Sequence, residues 1–170
     1  MPSDAVEISE ELFQRVIANP PVGKIIDHDQ HGLPLLTDPP EPNAAELGTA
    51  THTRQTTAIN QACEAAITAG FTSDALGAPH FYTSQLDDQL NLTGAVLRGL
   101  DMPYACRDEQ GVKEFRLHTA EQLRQVGDDF TLYKLQLLQH ANELKQQLDA
   151  ALDAGDLAAL EAISWEAPQP

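Results

Sequence analysis

Twice between residues 70 and 130 this chain runs through the same succession: two short strand-like segments about a turn, then a strongly capped helix start. The first pass goes from Gly70-Phe71-Thr72-Ser73 to His80-Phe81-Tyr82-Thr83 and on into Ser84-Gln85-Leu86-Asp87-Asp88. The second goes from Tyr104-Ala105-Cys106-Arg107 through Gly111 to Phe115-Arg116-Leu117 and on into His118-Thr119-Ala120-Glu121-Gln122. Ser84 stands three positions before Asp87, and Thr119 three before Gln122. That is capping-box spacing, in which a side chain and a backbone N–H satisfy each other at a helix start. Hairpins feeding capped helices make this an α+β chain, mainly α, with two short β-hairpins and a long helix. No catalytic signature lies in the stretch.

Upstream, residues 5–8 read as extended chain or a short strand. Ser9 caps a helix with Glu10 and Glu11 in its first turn, where acidic groups favour the helix dipole. Leu12, Phe13, Val16 and Ile17 share one face, and Asn19-Pro20-Pro21 stops the helix. Residues 22–27 and 33–38 then form a hairpin about His28-Asp29-Gln30-His31-Gly32, with Pro34 confining the second strand to an edge. One helix and one hairpin make a marginal core, so residues 1–38 are a small unit expected to lean on something else.

Residues 39–50, opening Pro39-Pro40-Glu41-Pro42, are the expected linker, extended and stiff at its start. The second unit spans residues 51–165. It begins with a helix carrying Ala58, Ile59, Ala62, Cys63, Ala66 and Ile67 at helical spacing and ended by Gly70. The two hairpin-and-helix passes follow, the last helix running from Thr119 to about residue 152 and loosened near Gly127. Asp156 caps a final short helix over 157–163, Trp165 covers its end, and residues 166–170 are a tail. Phe130, Tyr133, Leu137, Leu144, Leu148 and Leu152 trace an apolar stripe along the long helix, widened by Leu132, Leu135 and Leu138. Two readings stay open: a helix packed on its own sheet and neighbours, or one that projects and self-associates into a homo-oligomer.

Ten basic residues against 26 acidic ones leave a net charge of -16. Such a surface repels phosphates and anionic lipid, so the expected partners include neither nucleic acid nor membrane. It is attracted to basic protein surfaces within the roughly 8 Å that salt leaves unscreened. The opening residues carry no basic region followed by an apolar run, and no segment approaches the roughly 20 apolar residues that span a bilayer. Cys63 and Cys106 lack metal-type spacing and are expected as buried free thiols.

Catalysis finds little support. His28 and His31, with Asp27 and Asp29, sit on one turn, but two imidazoles and two carboxylates there describe a solvated loop better than a metal site. Asp87 and Asp88 are adjacent on a helix and point about 100° apart, so they do not form a facing carboxylate pair. No Gly-x-Ser-x-Gly elbow, cysteine–histidine signature or phosphate-binding loop is present. No cofactor and no enzymatic activity are expected. A surface role is open for His80, Phe81 and Tyr82 on one strand, with Asp88, Gln89 and Asn91 just beyond. The competing reading puts Phe81 in the core with His80 and Tyr82 at its rim.

Two regions resemble phage tail proteins. Val6-Glu7-Ile8-Ser9-Glu10-Glu11-Leu12-Phe13-Gln14, Gly23-Lys24-Ile25-Ile26 and Gly32-Leu33-Pro34-Leu35-Leu36-Thr37-Asp38-Pro39-Pro40 together resemble a segment of tail-fibre assembly proteins. Residues 52–163 resemble a small domain of unassigned activity that recurs in tail-fibre and fibre-assembly proteins. The marks are Gly70-Phe71, Tyr82-x-Ser84, Gln89-x-Asn91-Leu92, Thr119-Ala120-Glu121-Gln122-Leu123 and Leu144-Lys145. The resemblance implies a tail-fibre chaperone acting in the host bacterial cytoplasm on the C-terminal region of a trimeric receptor-binding fibre. The alternative it implies is a structural tail component retained in the virion at the fibre tip or baseplate. On this expectation Lys24, Ile26, Leu33 and Leu35 of the first hairpin meet the fibre, with His80, Tyr82, Asp88, Gln89 and Asn91 as a second contact region.

Overall fold

A computed structural model describes residues 6–166. Residue 5 of the expected N-terminal strand and the final residues of the tail lie outside them. The chain divides into two units, 1–43 and 44–170.

In the first unit the Ser9 hydroxyl accepts the Leu12 N–H at 3.2 Å and starts α1 (Glu10–Leu12), which continues as a π-helical turn over Phe13–Ala18. Residues 6–8 form no strand. The wider winding breaks the expected four-residue apolar face, and Val16 alone of the four is buried. β1 (Ile25–His28) and β2 (Pro34–Thr37) pair antiparallel, with Ile26 opposite Leu36 and His28 opposite Pro34. Asp29 builds the turn: its Oδ1 accepts the N–H groups of His31 and Leu33 at 2.8 and 2.9 Å. Gly32 completes it at φ +79°, a conformation that favours glycine.

The second unit opens earlier than the prolines suggest. α2 spans Ala44–Ala69, so only residues 39–43 of the expected 39–50 linker are irregular. Past Pro42 the run Ala44-Ala45-Glu46-Leu47 consists of strong helix formers with an acid in the first turn, and it folds as helix. Ile59, Cys63 and Ile67 form its buried face. Gly70 ends it at φ +114°; a Cβ there would lie 2.1 Å from the Phe81 ring and 2.8 Å from the Tyr82 carbonyl oxygen.

β3 (Phe71–Ser73), β4 (His80–Tyr82), β5 (Met102–Arg107) and β6 (Lys113–His118) form one antiparallel sheet in chain order. The two expected hairpins are therefore one sheet, joined where Phe81 faces Arg107. α3 (Leu86–Arg98) lies between them in sequence and packs on α4 (Ala120–Asp153). α4 runs antiparallel to α2, tied to it by Tyr133 Oη to the Ala66 carbonyl at 3.0 Å and His52 to Asp149 at 2.8 Å. Leu123, Val126, Phe130, Leu137, Leu144 and Leu148 are buried, and Leu132, Leu135 and Leu138 stay exposed. Gly127 does not loosen α4. It lets α3 come close, with Val96 Cγ2 3.3 Å from where a Cβ would stand.

The Thr119 and Gln122 capping box forms as expected, with bonds of 3.2 and 2.8 Å. Asp156 Oδ1 accepts the Ala159 N–H at 3.0 Å and caps α5 (Leu157–Ala162). Trp165 meets the His140 ring edge-on, 5.0 Å between centroids. Ser84 does not cap α3, and Asp87 is not its partner. The Ser84 hydroxyl is buried against the Ile67 carbonyl, and Gln85 Nε2 donates to the Thr68 carbonyl at 2.7 Å. The last carbonyls of α2 lack helical donors, and these two side chains supply them. The cap falls to Gln85, whose N–H donates to Asp88 Oδ2 at 3.1 Å.

The turn joining β5 to β6 repeats the first unit's turn. Asp108 Oδ1 accepts from Gln110 and Val112 N–H at 3.1 and 2.9 Å, and Gly111 sits at φ +80°. Backbone bonds match too: Asp29 to Leu33 at 3.0 Å and Asp108 to Val112 at 3.2 Å.

Candidate functional site

In the first hairpin, bonding parity decides which backbone groups face outward. Asp29 and Leu33 form a hydrogen-bonded pair, so Asp27 with Leu35 and Ile25 with Thr37 do as well. Ile26 and His28 therefore turn their N–H and C=O away from β2. Every residue of β1 is exposed, whereas β2 is half-buried apart from the buried Pro34. Ile25, Ile26 and Val22 present apolar side chains to solvent. Lys24 is exposed and held by Asp38 at 2.7 Å; Leu33 and Leu35 are half-buried. Val22 and Ile25 were not anticipated as surface residues. The available signal was the small unit itself, since one helix cannot cover both faces of a hairpin.

The second expected contact region does not assemble. His80 and Tyr82 are 6% and 1% exposed, while Phe81 lies on the opposite face, half-buried over Gly70. This reverses the reading that put Phe81 in the core with His80 and Tyr82 at its rim. Burial removes His80 and Tyr82 from any contact surface. Gln89 is also internal in function: it donates to the Ser84 carbonyl at 2.9 Å and accepts from Lys134 at 3.3 Å, fastening α3 to α4. Asp88 caps α3, and its carbonyl accepts the Tyr104 hydroxyl at 3.4 Å. Asp88 and the exposed Asn91 line a cavity of about 560 Å³ between α3 and the β5–β6 hairpin, together with Arg98, Lys113 and Phe115.

His80 and Tyr82 instead belong to a buried polar chain that sequence reasoning missed. Carbonyl oxygens only accept, so His80 Nδ1 donates to Ala78 and His118 Nδ1 donates to Arg116, both at 2.8 Å. Each Nε2 is then an acceptor. Arg116 Nη1 donates to His80 Nε2, and the Tyr82 hydroxyl donates to His118 Nε2, both at 2.9 Å. Arg116 Nη2 completes the chain at Asp108, 3.0 Å away.

Arg116 and Asp108 form an ion pair, while ionisation is opposed at Tyr82, Tyr104, Cys106 and His118. Burial pushes the Tyr82 hydroxyl far up, Tyr104 up to about 12 and the Cys106 thiol up, and pushes the His118 imidazole down. Cys63 and Cys106 are free and buried. Such a network holds strands in register and offers no poised nucleophile or base. His28 and His31 stay on the exposed turn, where Asp29 is spent on backbone N–H groups. Among the described residues no group of three His, Cys, Asp or Glu is placed to hold a metal, and no helix is long and apolar enough to cross a membrane.

Residues 50–164 match a family described as a domain of unknown function, DUF4376. The chain belongs to this family. No curated protein and no solved structure matches the chain. The DUF4376 match begins within α2 and ends just past α5, so it takes in the four-stranded sheet, the buried polar chain and the α2–α4 pair. The first hairpin, with its exposed β1 edge, lies before it.

Proposed function

We propose that this chain is a non-enzymatic chaperone that assists folding and trimeric assembly of a phage or prophage tail fibre. The observation that carries the reading is the β1 edge, where Ile26 directs its backbone N–H and C=O outward and His28 its C=O, the His28 N–H being taken by Asp27 Oδ1 at 2.8 Å, beside exposed Val22, Ile25 and Ile26. An unpaired edge with apolar neighbours suits strand addition, in which the backbone gives affinity and alternate side chains give selectivity. A trimeric β fibre must register three chains before its long-range contacts form, and its own strand edges are exposed meanwhile. The fibre's C-terminal region is the client segment, met in the host cytoplasm. The fibre-assembly resemblance of residues 6–40 coincides with this hairpin, and the hydrogen-bonded network of the second unit, closed by the Arg116–Asp108 pair, supports a structural role there.

Co-expression with a trimeric tail-fibre gene tests the proposal, with soluble trimer measured by size-exclusion chromatography and light scattering. Soluble trimer is expected only when this chain is present. A fibre that folds equally well alone would refute the chaperone reading and leave the virion-component reading, which requires the chain in purified particles at fibre stoichiometry.

A further inference from the structure

The two edges of the four-stranded sheet are unlike. β3 is three residues long, with Phe71 and Ser73 buried, whereas β6 is six residues long and pairs on one side only among the described residues. The turn again fixes which backbone groups point out. Asp108 and Val112 are a hydrogen-bonded pair, so Cys106 with Glu114, Tyr104 with Arg116 and Met102 with His118 are too. Lys113, Phe115 and Leu117 therefore aim their N–H and C=O groups away from β5. The side chains of Phe115 and Leu117 are 75% and 69% exposed. A long edge with exposed apolar side chains and no proline within it is a template for pairing.

We propose that β6 pairs antiparallel with β6 of a second copy about a two-fold axis at Phe115, fusing two sheets into one of twice the width. The observations select both the partner and the register. Only the outward residues 113, 115 and 117 can bond across the axis, which leaves a few centres. An axis at residue 113 sets Lys113 against Lys113, one at 114 sets Glu114 against Glu114, and one at 116 sets Arg116 against Arg116. Like charges directly opposite are destabilising. An axis at 117 would recruit Thr119, whose N–H and hydroxyl are committed to Gln122 at the start of α4. At Phe115 the conflict disappears. Glu114 faces Arg116 of the other copy at both ends, Phe115 meets Phe115, and Lys113 lies beside Leu117. Glu114, already 3.4 Å from its own Arg116, gains a second guanidinium. An isologous contact of this kind closes as a dimer and leaves no β6 edge for further growth.

Sedimentation equilibrium of the full chain over a concentration series tests this, at about 150 mM salt where screening over roughly 8 Å limits repulsion between the two acidic copies. A reversible dimer is expected. Phe115→Pro removes one outward N–H without touching the β5 ladder and should give a monomer with an unchanged helical circular dichroism spectrum. Glu114→Lys changes an exposed side chain and should weaken the dimer about tenfold. A wild-type monomer up to the millimolar range would overturn the proposal. So would a dimer indifferent to both variants but dissociated by Leu135→Glu, which would put the interface on the exposed face of α4. This dimer stands independently of the chaperone reading, since β1 takes no part in it.

Discussion

The β1–β2 and β5–β6 hairpins share one turn and differ in everything behind it. Asp29-Gln30-His31-Gly32-Leu33 and Asp108-Glu109-Gln110-Gly111-Val112 make the same bonds from the same atoms, down to a glycine near φ +80° in each. Behind β5–β6 stand the Tyr82–His118 and Arg116–His80 bonds and the α2–α4 pair. Behind β1–β2 stands one short helix whose buried contribution is Val16. The local code is enough to aim the strands, but tertiary backing decides how much surface stays open. The poorly backed hairpin is the one left with an apolar strand whose outer edge pairs with no other strand among the described residues.

The largest expected effect breaks the backing of the second hairpin. His118→Ala removes a fully buried imidazole and strands the Tyr82 hydroxyl, at a cost of about 3 kcal/mol. Urea unfolding should show the loss, with Tyr82→Phe costing about half as much. A His118→Ala chain as stable as wild type would remove the contrast between the hairpins.

Matched turn substitutions sharpen the comparison. Gly32→Ala and Gly111→Ala should each cost about 1 kcal/mol locally, because alanine resists positive φ. Hydrogen exchange should nonetheless differ, with β1–β2 amides losing protection while β5–β6 amides keep theirs. Gly32→Ala carries a small addition, because its Cβ would stand 3.1 Å from Val6.

The smallest effect is a separation in pH. Burial holds His118 below its ordinary 6.5, so the unfolded chain takes up that proton first. The resulting stability is complete above pH 6.5 and declines as pH falls from there toward the folded value. Asp29 and Asp108 lie below 3.8, held down chiefly by backbone N–H donors, so their contribution is lost only as pH falls through those lower values. Mild acid should therefore weaken the second unit first, and His118→Gln should flatten that step. Stronger acid should loosen both turns. Residue-resolved exchange at pH 7, 5 and 3 distinguishes the two windows.

Much of this architecture was readable from sequence. The Thr119 and Asp156 caps, the buried face of α2 and the existence of each hairpin follow from local rules that packing reinforces. The misses have physical causes. Ser84 has capping-box spacing to Asp87, but its hydroxyl is drawn to one of α2's final carbonyls, distant in sequence, and the cap falls one residue later at Gln85. His80-Phe81-Tyr82 places three rings in succession, so alternation alone cannot say which ones face the core. The prolines at 39, 40 and 42 hid a helix that starts directly after them. The outward-facing backbone of Ile26 follows from the bonding of the Asp29 turn rather than from composition. Sequence could nominate the first hairpin as a contact surface, but only the register identifies its free edge.

One experiment sets the two hairpins against each other. A tail fibre is co-expressed with wild-type chain, with Ile26→Pro, which removes an outward N–H from β1, or with Phe115→Pro, which does the same at β6. Soluble trimeric fibre is expected with wild type and Phe115→Pro, and its loss with Ile26→Pro. Full yield with Ile26→Pro, or loss confined to Phe115→Pro, would contradict the assignment of the first hairpin to the client.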